Sequence, residues 1–82
     1  MTTFQEELAK KHSQELLFAD GYDEAVLGVS LDGKVIYDVE IMLEITMEML
    51  DAIYDEAWEY LEFNTFGAYV GEKTPIYIHR NE

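Results

Sequence analysis

Apolar residues recur at helical intervals from the start of the chain. Phe4, Leu8 and Phe18 share one phase with Lys11 and Glu15, and Leu16 and Leu17 widen the apolar face. Thr3 and Glu6 stand at capping-box spacing, and Asp20-Gly21 supplies a stop, so a helix is predicted over 3–19. The period then changes. Ala25-Val26-Leu27-Gly28-Val29-Ser30-Leu31 and Lys34-Val35-Ile36-Tyr37-Asp38 are rich in β-formers and flank Asp32-Gly33. Asp-Gly between two such runs provides the positive φ of a tight turn and predicts a hairpin over 25–38. Gly28, inside the first strand, marks either a bulge or a close approach of a neighbouring helix.

Residues 39–63 contain no Gly or Pro and are rich in Met, Leu, Ile, Glu and Ala. They read as one long helix of about 36 Å, with Leu50-Asp51 the place where a break into two would fall. Pro75 opens a last strand over 75–80, in which Ile76 and Ile78 alternate with Tyr77 and His79. The expected fold is α+β, a single domain over 1–82: an N-terminal helix, a hairpin, a long helix and a C-terminal strand. That strand is expected to complete a three-stranded antiparallel sheet, with helices on one face.

The polar positions of the long helix carry the main signal. Glu40, Glu44, Glu48, Asp51, Asp55, Glu59 and Glu62 are spaced 4, 4, 3, 4, 4 and 3 residues apart. At about 100° per residue all seven fall within an arc of roughly 100°, a ridge about 33 Å long. The unbroken phase favours one helix over two. No Lys or Arg occurs between Lys34 and Lys73. The ordinary meaning of such a row is a solvated face. Two features count against it. Helix faces gain about 0.2–0.5 kcal/mol from each Glu–Lys pair at i,i+4, yet here those pairs are like-charged. Carboxylates about 4.5–6 Å apart along an axis also approximate phosphate spacing on one nucleic-acid strand. The ridge is therefore a candidate binding surface, and mimicry of DNA is one form of that idea.

The rest of the helix is nearly all apolar and wider than one short helix and a small sheet need bury. Met42, Met47 and Met49 suit either core gaps or an adaptable contact. Trp58 falls at the border of ridge and apolar zone, as a hot spot or a core edge.

Composition narrows the partners. Eighteen Asp and Glu against five Lys and Arg give a formal charge of −13 in 82 residues. That disfavours direct contact with nucleic acid or an anionic membrane and favours a basic partner. Hydrophobic residues at 49% argue against disorder. The chain has no cysteine, which removes disulfides, thiolate metal sites and thiol nucleophiles and suits a reducing cytoplasm. Neither a signal peptide nor a membrane-spanning run is recognisable.

Catalytic patterns are missing. His12 and His79 are far apart, and Ser13 and Ser30 lie in no nucleophile motif. Asp32-Gly33 lacks the ligand series of a calcium loop, and Gly67-x-x-x-Gly71 lacks the lysine of a phosphate loop. A linear row of carboxylates does not converge on a metal. No enzyme, cofactor or metal site is expected.

Tyr22-Asp23-Glu24-Ala25-Val26-Leu27-Gly28-Val29, Val35-Ile36-Tyr37-Asp38 and the block from Glu62 to Pro75 (Glu-Phe-Asn-Thr-Phe-Gly-Ala-Tyr-Val-Gly-Glu-Lys-Thr-Pro) carry a resemblance. They resemble a family of small uncharacterised proteins of tailed bacteriophages and related bacterial genomes, over about residues 22–78. Members often start a second helix with Met-Thr-x-Glu-Glu-Ala. The matching stretch here is Ala52-Ile53-Tyr54-Asp55-Glu56-Ala57, which lacks the Thr cap. The resemblance implies a phage or prophage origin and no established activity. Small acidic phage proteins often inhibit host enzymes or defence systems. The expected function is a non-enzymatic acidic module binding a basic, nucleic-acid-binding host protein in the bacterial cytoplasm. The alternative is a homodimer formed through the apolar helix face, with the ridge serving solubility.

Overall fold

The computed structural model describes residues 3–11 and 16–80. Helix α1 spans Phe4–Lys11. Its start follows the expected cap, with the Glu6 N–H donating to Thr3 Oγ1 at 3.1 Å. The helix predicted over 3–19 is not continuous, because Leu16 to Ala19 have no helical structure. Residues 12–15 of that prediction, including His12 and Ser13, lie outside the described residues. The Ala19 N–H donates instead to the Tyr37 hydroxyl at 2.7 Å, tying this segment to the sheet.

A short 3₁₀ turn, Asp23–Ala25, leads into β1, Val26–Val29, which pairs antiparallel with β2, Val35–Asp38. The hairpin forms as predicted, although its loop is one residue longer than Asp-Gly alone suggests. Ser30 N–H donates to the Lys34 carbonyl at 2.8 Å, and Gly33, at φ 81°, takes the left-handed position of the loop Leu31-Asp32-Gly33. The Ser30 hydroxyl donates to Asp32 and, with Lys34 nearby, holds the Asp32 carboxyl below its ordinary pKa. Of the two readings of Gly28 the bulge is observed. The register shifts between Val26 and Gly28, and a side chain at Gly28 would meet nothing within 4 Å.

The third strand, β3 (Ile76–Ile78), is shorter than the predicted 75–80 and pairs parallel with β2, giving the order β1-β2-β3. The sheet is thus mixed, which corrects the antiparallel expectation. A helical crossover, residues 39–75, joins β2 to β3 and returns the chain to the end of the sheet where β2 began. Among the described residues no helix is long and apolar enough to cross a membrane.

Residues 39–63 form two helices, not one. Helix α2 is Val39–Leu50, α3 is Tyr54–Leu61, and a π-helical turn, Glu62–Phe66, extends α3. Asp51 adopts φ 51°, ψ 49°, the left-handed conformation that ends helices. The Ala52 N–H closes the end by donating to the Met47 carbonyl at 3.0 Å. Helix α3 starts at Tyr54, with Ile53 at the N-cap and no side-chain oxygen there to cap it. Glu56 offsets that loss by accepting from the Ile53 N–H at 3.2 Å.

The core joins β2 to the inner faces of the helices through Val35, Tyr37, Val39, Met42, Leu43, Ala57 and Leu61, closed by Tyr22 and Ala25. Thr46 is fully buried and satisfied, donating to the Met42 carbonyl and bonded to the Tyr22 hydroxyl at 2.7 Å. Burial pushes the Tyr37 phenol up to about 12 and raises that of Tyr77.

A candidate protein-binding face on α2 and α3

The break at Asp51 decides what becomes of the acidic ridge. All seven carboxylates are exposed, as solvent-facing positions of their helices should be. They do not form one straight row. Glu40, Glu44 and Glu48 lie along α2, Asp51 sits in the elbow, and Asp55, Glu59 and Glu62 belong to α3 and its π extension. Equal spacing in sequence keeps a face only while the helix axis continues. The left-handed residue ends that axis, so the ridge becomes two shorter rows. Among the described residues Glu40 is the one of the seven with a basic side chain in ion-pair reach: His79 Nδ1 lies 3.4 Å from its Oε1.

Trp58 holds the border position expected of it. Half-buried, it stacks on His79 with ring centroids 6.0 Å apart and meets Phe66 edge-on at 5.8 Å. Its indole N–H donates to Glu62 Oε1 at 2.8 Å. Phe66 continues the contact to Tyr77 at 4.9 Å, and Tyr77 stacks on Tyr37. Trp58 is thus the outer end of an aromatic chain that reaches the central strand. His79 and Glu62 occupy two of its sides, which suits a core edge more than an open hot spot.

A π turn follows α3 and borders a second exposed feature. In an α-helix the inward positions following Ala57 and Leu61 would be 64 and 65. Here the Gly67 N–H reaches back five residues to the Glu62 carbonyl at 3.2 Å. The wider turn brings Phe66 onto the core, while Phe63, outward in either geometry, is 80% exposed. Gly67 permits this closure, since a Cβ there would stand 2.9 Å from the Glu62 carbonyl oxygen.

Phe63 borders a groove of about 530 Å³ between the elbow and the outer side of α3. Its apolar lining is Leu50, Ala52, Tyr60 and Phe63, and its carboxylates are Asp51, Glu56 and Glu59. Two of the seven predicted acids, Asp51 and Glu59, therefore meet at one site. Glu56, Tyr60 and Phe63 lie outside the row of seven carboxylates. Their i, i+4, i+7 spacing on one side of a helix is the signal that the sequence carries for them. The methionines divide: Met42 is fully buried, Met47 is half-buried, and Met49 is 55% exposed.

Among the described residues no group of three His, Cys, Asp or Glu side chains is placed to hold a metal ion. Comparison with protein-family models, with curated proteins and with solved structures returned no match.

Proposed function

We propose that this protein is a non-enzymatic acidic binding module that engages a basic protein partner, of the nucleic-acid-binding kind, through the carboxylates of α2 and α3. The phage-protein resemblance adds the role of an inhibitor of a host protein. The observation that carries the reading is the exposure of all seven carboxylates with, among the described residues, a single basic neighbour in reach. A net charge of −13 extends their attraction beyond contact range and speeds encounter with a cationic surface.

Mimicry of a phosphate strand now rests on the α2 row. There Glu40, Glu44 and Glu48 repeat at about 6 Å along one axis. A pull-down from bacterial lysate tests the module. Basic proteins should be retained at low salt, released by about 0.5 M salt, and lost from the triple variant Glu44→Lys, Glu48→Lys, Asp55→Lys. Retention of nothing, or retention indifferent to salt and to charge reversal, rules the module out.

A second reading draws on Met49, Ile53 and Phe63, which are 55%, 63% and 80% exposed. These side chains would be the interface of a homodimer, with the carboxylates serving solubility. Light scattering over a concentration series discriminates, because a strict monomer removes the dimer.

A further inference from the structure

The groove at the elbow has a shape and a charge that the ridge alone does not. From these we infer that it takes one face of a basic amphipathic helix from a protein partner. This rests on the binding-module reading above and deepens it by naming where the partner docks and in what form.

The apolar part of the site is open. Phe63 is 80% exposed, Leu50 43% and Tyr60 37%. Phe63 lies on the outward side of the helix and within a π turn, an uncommon geometry found often at functional sites. Aromatic side chains of this kind are enriched at the centres of protein interfaces.

Charge selects the occupant. Among the described residues, every side chain bordering the groove that is charged at neutral pH is a carboxylate: Asp51, Glu56 and Glu59. No Lys or Arg exists between residues 34 and 73 to neutralise them locally. A second copy would set like rims against each other and bring together two chains of −13 each. A partner whose Lys and Arg flank an apolar stripe meets both requirements.

Form follows from the walls. No strand borders the groove, so an extended peptide has no backbone edge to pair with. The wall on α3 is instead a side-chain ridge at 56, 59, 60 and 63, the i, i+3, i+4, i+7 pattern against which a second helix packs.

Two labelled 18-residue peptides of Leu and Lys test the inference: one with amphipathic helical order, one of the same composition scrambled. Binding is read by fluorescence anisotropy at about 0.15 M salt, and the site by amide shifts of the ¹⁵N-labelled protein. The ordered peptide should bind about tenfold tighter than the scrambled one, with shifts centred on residues 50–63. Phe63→Ser should remove most of that preference. An unchanged circular dichroism spectrum would show that this exposed substitution leaves the fold in place. Glu59→Gln should weaken both peptides by about threefold.

Equal, salt-sensitive affinity for both peptides overturns the groove while leaving the acidic module standing. So do shifts centred on Glu40 and Glu44, or a Phe63→Ser variant that keeps the preference. Failure to bind either peptide overturns both the groove and the module. Self-association abolished by Phe63→Ser would assign the groove to a second copy instead.

Discussion

At one end α2 grows out of the central strand; at the other it stops in solvent. The first junction has no loop, since β2 ends at Asp38 and α2 begins at Val39. Asp38 is 4% exposed, and its Oδ1 accepts from the Glu40 and Ile41 N–H groups at 2.9 and 3.2 Å. Its second oxygen faces Arg80 at 3.8 Å, so the buried charge is not left unpaired. The far end depends on a left-handed Asp51, an Ile53 whose side chain cannot cap and a π turn, with large apolar side chains in water. Stability is concentrated at the first end, and contact surface is available at the second. The two needs conflict, because packing that buries a side chain also withholds it from a partner.

Side-chain truncation tests that division most directly. Leu43→Ala, at the buried end, should cost about 3 kcal/mol of unfolding free energy in urea titration. Phe63→Ala should stay within about 0.5 kcal/mol of the parent. Similar losses at both sites would mean that the elbow is part of the core.

Alkaline pH should attack the buried end selectively. The Tyr37 pKa is raised by burial to about 12, above its unfolded value near 10. A raised pKa means that the folded state holds its proton more tightly. The associated stability, on the order of 2 kcal/mol, is complete below about pH 10 and is lost as pH rises through 12. Denaturant midpoints measured from pH 8 to 12 should fall in that window. Tyr37→Phe should flatten the fall, although it leaves the Ala19 N–H without its acceptor.

Removing the cap by Asp38→Ala should cost about 1.5 kcal/mol and fray the first turn of α2 in amide exchange. The opposite sign is expected at the elbow. Asp51→Gly relieves a left-handed conformation in a residue with a Cβ and should stabilise by about 0.5–1 kcal/mol in the same titration. A loss there would show that the Asp51 side chain holds the turn.

Local chemistry by itself determined much of the molecule: the α1 cap at Thr3, the hairpin around Asp32-Gly33, the start of β3 beside Pro75, and the exposure of all seven carboxylates. These follow from short-range rules that nearby residues satisfy without help. The direction of β3 could not be read this way. It depends on the crossover returning the chain to the end of the sheet where β2 began. The end of α2 was legible as a position, Leu50-Asp51, but not as a certain break, because the residue in the left-handed position is Asp and not the Gly that would have marked it. An acidic spacing that continues in phase past Asp51 then suggested an axis that does not continue. Tertiary packing decided both matters. Ala57 and Leu61 reach the core beside Met42 and Leu43 only if the chain breaks between Leu50 and Tyr54, and Phe66 reaches it only through a wider turn. The same break brings Asp51, Glu56 and Glu59 around one groove, beside the outward-facing Phe63.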